Sequence, residues 1–150
     1  MTKSFVEPLL VQNQLILNSL LDVAEAPAEK MQMDVSVTKV PNLAESSDDG
    51  KSISAQTKLT VNIRLKNEVD ENDIRLRVEV QGLVNASVPT VSFQSLEEAQ
   101  NYLEIHSISV CYGFIKAHIG MLMSNSPFPG LVLPEIDAEA YLAAIAENDS

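Results

Sequence analysis

The stretch SLEEAQNYLEIHSISVCYGFIKAHIGMLMS, Ser95 to Ser124, followed by SPFPGLVLPEID, Ser126 to Asp137, decides how the chain folds. It opens as a helix. Ser95 can cap the free N–H groups, and Glu97 and Glu98 lie where the positive end of the helix dipole favours acids. Glu98 falls three residues after Ser95, the capping-box spacing. No proline interrupts the run until Pro127, which lacks the donor and clashes with the preceding turn.

At about 100° per residue the apolar side chains of this helix make two stripes. Ile108, Cys111, Tyr112, Ile115, Ile119 and Leu122 share one face, and Leu103, Val110, Phe114, Ala117 and Met121 share the opposite one. Apolar residues on both sides predict burial on both sides. Between the stripes lie Ser109, Gly113, Lys116 and Gly120. A helical glycine is destabilising by about 1 kcal/mol relative to alanine, so Gly113 and Gly120 suggest that another backbone comes close. The chain can cover one side with its own sheet. A second subunit is expected on the other, against Val110, Gly113, Phe114, Ala117, Gly120 and Met121.

Upstream, the pattern is that of strands. Met31, Met33, Val35 and Val37 alternate with Gln32, Asp34, Ser36 and Thr38, which predicts a half-buried strand over Met31 to Val40, ended by Pro41. The run Glu45 to Gly50 reads as a solvated, mobile loop. From Gln56 to Lys66, Leu59, Val61, Ile63 and Leu65 point one way and Lys58, Thr60, Asn62, Arg64 and Lys66 the other. Past the polar turn Asn67 to Asp73, Ile74, Leu76, Val78 and Val80 mirror them, with Arg75, Arg77, Glu79 and Gln81 outward. These two form a hairpin, and Gly82 is expected at a bulge or bend. Val84 to Val91 continues less regularly. Residues 9 to 23 stay open between helix (Leu9, Ile16, Leu20) and strand (Leu15 with Leu17, Leu21 with Val23). Strands first and helices last, with a short helix over Ala138 to Glu147, predict a single α+β domain over residues 1 to 150. Its architecture is a two-layer sandwich.

Composition narrows the function. The 150 residues and 45% hydrophobic content allow one domain with a real core. A net charge of −11 argues against nucleic acid, which needs clustered Lys and Arg. The single cysteine, Cys111, cannot close an internal disulfide and fits a reducing compartment. No signal-peptide core and no membrane-length apolar run are seen, so a cytoplasmic location without membrane association is expected. Cys111 and His118 lie about 10.5 Å apart along the helix axis, too far for a nucleophile and its base. No metal-ligand spacing, phosphate loop or nucleophile elbow occurs, so neither catalysis nor a cofactor is expected.

The run from Val110-Cys111-Tyr112 through Ser124, then Phe128-Pro129-Gly130-Leu131-Val132-Leu133-Pro134 and Ile136-Asp137-Ala138, resembles the end of the SecB export chaperones. Glu25-Ala26-Pro27 and Glu79-Val80-Gln81-Gly82 also match that family. The resemblance implies a four-stranded antiparallel sheet with a long helix and a short C-terminal helix on one face. It also implies a strand over 11 to 23 and assembly as a dimer or dimer of dimers. By position it implies that unfolded polypeptides bind along Met33, Val35, Val37, Phe128, Leu131, Leu133, Ile136 and Tyr141. Three prolines around the crossing segment exclude a regular helix there, so its side chains either line such a trough or cap the core. Met31, Met33, Met121 and Met123 would adapt to varied clients.

The resemblance also implies docking on a translocation ATPase through an acidic sheet face, to which Glu25 and Glu79 correspond. Leu21 and Arg77 depart from that pattern. With Lys58, Arg64, Lys66 and Arg75, Arg77 makes this face net basic, which suits an acidic partner instead. The leading expectation is an ATP-independent holdase chaperone, and the alternative is an antitoxin-like adaptor or regulator with one dedicated partner.

Overall fold

The computed structural model describes residues 8–24, 26–41, 44–128 and 133–148. Five strands form one antiparallel sheet: β1 (Leu10–Val23), β2 (Met31–Lys39), β3 (Glu45–Ser46), β4 (Ser52–Asn67) and β5 (Ile74–Pro89). The order is β1-β5-β4-β2, with the two-residue β3 pairing only with the start of β4. The long helix α1 (Leu96–Met123) and the short helix α2 (Ala138–Asn148) follow. The α+β sandwich is the architecture expected, and the four long strands that the family resemblance implies are joined by the short β3.

The β4–β5 hairpin is its centre. Leu65 faces Leu76, Ile63 faces Val78, Val61 faces Val80 and Leu59 faces Gly82. Cross-strand partners share a sheet face, so both apolar rows point to one side and are buried there under α1. Pairing with β4 continues to Pro89 and the core-facing row to Val88, with Leu83 buried on the other face as well, so the stretch that the pattern left irregular is regular strand. The expected loop over Glu45 to Gly50 also carries structure. Glu45 and Ser46 pair with Ser54 and Ile53, and Gly50, at φ +70, makes a left-handed turn that L side chains rarely adopt.

Gly82 does not bulge. Its pairing with β4 is continuous, and the register shift beside it belongs to β1, between Ile16 and Asn18. The reason for glycine is the helix overhead: a Cβ here would lie 2.7 Å from Ile115 Cγ1 and 2.9 Å from its Cδ1. β1 carries a second shift between Val11 and Asn13. Its core-facing side chains are therefore Val11, Ile16 and Leu21, at odd spacings that no unbroken strand can present to one face.

Ser95 caps α1 by accepting a hydrogen bond from the Glu98 amide at 3.1 Å. Ala99, Leu103, Ser107, Cys111, Ile115, Ile119 and Met123 are all buried, at every fourth position. Four residues overshoot a full turn by about 40°, so this row winds around the helix. A four-residue ridge lying across a twisted sheet buries different sides of the helix at its two ends. Leu103 accordingly belongs to the core and not to the second stripe where a straight wheel puts it.

Candidate functional site

The site that the fold builds lies between the edge strand β2 and the polypeptide after α1. Strand β2 pairs with β4 on one side. Met31, Met33, Val35 and Val37 are half-buried toward the helices, and Gln32, Asp34, Ser36 and Thr38 are exposed on the other face. After α1, the Ser126 hydroxyl donates to the Met123 carbonyl at 2.8 Å and accepts from the Phe128 amide at 3.0 Å, which turns the chain back. Phe128 and Leu133 are only 6% and 5% exposed and belong to the core cluster. Asp137 starts α2, its carboxylate accepting from the Ala140 amide at 3.0 Å.

Among the described residues, three side-chain contacts tie this second layer to α1 and β2. The Tyr112 hydroxyl donates to the Pro134 carbonyl at 2.5 Å, and Lys116 bridges to Glu135 at 2.6 Å. The Tyr141 hydroxyl of α2 donates to the Val37 carbonyl of β2 at 3.0 Å. Burial pushes the pKa of both tyrosines up. Ile136, Tyr141 and Leu142 are half-buried against the core.

Of the residues singled out for client binding, Met33, Val35, Val37, Ile136 and Tyr141 are part-exposed along this seam, and Tyr141 meets Val37 directly. Phe128 and Leu133 face inward beneath it. Leu131 lies outside the described residues.

On the far side of α1, Val110 and Phe114 are half-buried. Gly113, Ala117, Gly120 and Met121 are exposed, Met121 at 71%, and nothing lies within 4 Å of a Cβ built on either glycine. Cys111 lies beneath, its thiol pushed up to about 11 by burial. That makes it a poor nucleophile at neutral pH. Among the described residues no cluster of three His, Cys, Asp or Glu side chains could hold a metal. No helix among them is long and apolar enough to cross a membrane.

The outer sheet face is partly self-neutralised. Lys66 bridges to Asp34 at 2.8 Å, which raises the lysine pKa. Arg75 holds Asp73 at 2.7 Å, lowering that carboxyl, and also donates to the Ala26 carbonyl. Arg77 is exposed opposite Arg64, Glu79 lies opposite Asn62, and Glu25 is outside the described residues.

The alternation reading missed the solvent-facing leucines of β1. Leu10, Leu15, Leu17 and Leu20 are 44% to 62% exposed. Their number in so short a run was the available signal.

No family model matches the chain. A Methanocaldococcus jannaschii protein, itself uncharacterised, is 24% identical over 82 residues. That alignment covers 55% of this chain and 50% of the relative, so the chain spans about half the length of the curated relative it matches. Among solved structures, the Mycobacterium tuberculosis Rv1957 SecB-like chaperone, in complex with a ChAD peptide from the HigA1 antitoxin, superposes with a TM-score of 0.59. It covers 86% of this chain and 91% of that one, at 12% identity. The fold is SecB-like. At that identity the likeness speaks for the architecture alone, and it agrees with the resemblance carried by the α1 and crossing-segment residues.

Proposed function

We propose that this chain is a single-domain, cytoplasmic, SecB-like holdase that binds unfolded polypeptide segments along the seam between β2 and α2, by binding alone and without cofactor or ATP. The observation that carries the reading is the row Met31, Met33, Val35 and Val37, half-buried on an edge strand and joined to α2 by the Tyr141 hydroxyl on the Val37 carbonyl. A client that displaces α2 from this row would bury its own apolar side chains, each stabilising by about 1.5–3 kcal/mol when fully buried. Methionine side chains repack around different clients without strain. Phe128, Leu131, Leu133 and Ile136 would complete the trough.

The unpartnered face of α1 supports a homodimer, or a dimer of dimers, through Val110, Gly113, Phe114, Ala117, Gly120 and Met121. The neighbour's antitoxin peptide supports a narrower second reading, in which the seam serves one dedicated partner as an adaptor.

Titration with a permanently unfolded polypeptide tests both. Submicromolar binding of several unrelated chains, with a negative heat-capacity change, is the holdase result. Binding of none, together with one stoichiometric partner from the native cytosol, replaces it with the adaptor.

A further inference from the structure

Across the outer sheet face, one row reads Asp22 on β1, Arg77 on β5, Arg64 on β4 and Asp34 on β2. Two like charges stand directly opposite each other at its centre, with Cβ atoms about 5 Å apart, an arrangement that destabilises a sheet. The flanking acids do not neutralise them. Asp34 is held by Lys66 at 2.8 Å, and among the described residues no carboxylate lies within ion-pair distance of Arg64 or Arg77. Both arginines are exposed. A chain with a net charge of −11 thus keeps an open arginine pair in the middle of a flat face.

Beside that pair lies an exposed leucine. Leu20 lies opposite Glu79, two positions along from the Asp22–Arg77 pair, so it is a diagonal neighbour of Arg77, and it is 49% exposed. Leu15, opposite Leu83 and 49% exposed, is a second exposed leucine beyond the Asn18–Gln81 pair, about 13 Å further along β5 at about 3.3 Å per residue. We propose that Arg64 and Arg77, with Leu20 and Leu15, form a docking site for an acidic protein segment that carries leucine-like residues among its carboxylates. Guanidinium groups receive carboxylates through paired N–H donors, and two on adjacent strands can hold a single carboxylate from both sides. Glu79, on the same face, gives the site polarity by turning away an acid placed over the leucine end. The leucines supply area that the charges alone lack. The site is independent of the β2–α2 seam, so both can be occupied at once.

The test is fluorescence anisotropy with a labelled peptide of four Glu-Glu-Leu repeats, at two salt concentrations. Expected are saturable binding that weakens as salt rises, a loss of about tenfold or more in the Arg64→Gln/Arg77→Gln double variant, and weaker binding of four Glu-Glu-Gln repeats. A seam substitution, Met33→Asp, should leave this binding unchanged, which separates its failure from that of the holdase reading. The double variant should melt close to the parent, since the repulsion it removes is offset by the lost attraction of Arg77 to Asp22 and of Arg64 to Asp34 across the ladder. If it fails to fold, the single Arg77→Gln is read in its place. Unchanged affinity in the arginine variants overturns the proposal. So does Glu-Glu-Gln binding as tight as Glu-Glu-Leu, or tighter binding of heparin. Self-association at low salt that the arginine variants abolish would assign the face to a second copy and also overturn it.

Discussion

The central hairpin and the two outer strands of the same sheet obey different rules. On β4 and β5, Leu59, Val61, Leu76 and Val80 are wholly buried, each opposed by another core position across the ladder. On β2 every helix-facing side chain from Met31 to Val37 is half-exposed, and on β1 four leucines face solvent. A central strand has neighbours on both edges and a helix above. β2, an edge strand, lacks a neighbour on one side, and the solvent-facing leucines of β1 lie on the sheet face turned away from the helix, so both leave apolar residues available. Stability is concentrated in the hairpin, and binding capacity in the flanks.

The largest expected effect tests that division. Leu76→Ala should destabilise the fold by about 2–5 kcal/mol, because neighbours packed on all sides cannot close the cavity. Leu15→Ala should change stability by less than about 0.5 kcal/mol. Chemical denaturation of both variants checks the contrast, and equal losses would break it. Gly82→Ala comes next, at about 1–3 kcal/mol, since the new methyl must push Ile115 away. Ile115→Val, which removes Cδ1 but keeps the nearer Cγ1, should return only part of that loss in the double variant.

The hairpin was legible because nothing interrupts its alternation: from Leu59 to Leu65 and from Leu76 to Val80 each second residue is apolar and buried. β1 was not, because two bulges put Val11, Ile16 and Leu21 on one face at spacings of neither helix nor strand. Only the family resemblance read it as extended. α1 was legible as a helix with its Ser95 cap, while the winding of its buried row, and with it the place of Leu103, depends on the twist of a sheet that a helical wheel ignores. The same limit applies to the site. The alternation at Met33, Val35 and Val37 marks a half-buried strand, but the bond from Tyr141 to Val37 joins positions 104 residues apart, which the residue pattern cannot relate and only the family resemblance set facing each other.

A gentler probe sharpens the contrast at the seam. Met33→Asp places a charge where a client would bury apolar surface, and should weaken unfolded-chain binding by about tenfold or more. Leu15→Ala should leave that binding intact. Alkaline pH offers a probe of the buried side. Cys111 has its thiol raised from 9.0 to about 11 by burial. A pKa raised on folding means that its contribution is complete below pH 9 and is lost as the pH climbs toward 11, because only the unfolded state releases the proton early. Denaturation midpoints followed through that window should fall, and Cys111→Ala should make the fall shallower.

The smallest effect is the most telling for function. Tyr141→Phe keeps the ring against the core and removes only the hydroxyl that reaches the Val37 carbonyl. The loss is about 0.5–1.5 kcal/mol at most, since a carbonyl on an edge strand can turn to water. That amount falls on the docking of α2 and not on the hairpin. Global denaturation should therefore barely move, while amide exchange in α2 and along β2 quickens by a few-fold. If α2 must leave β2 before a client binds, the population of open molecules rises by the same factor, and client affinity should increase by it. Quicker exchange with unchanged client affinity would mean that the seam is no gate. Weaker affinity would mean that Tyr141 touches the client itself, so the sign of one measurement tells whether α2 covers the binding surface or forms part of it.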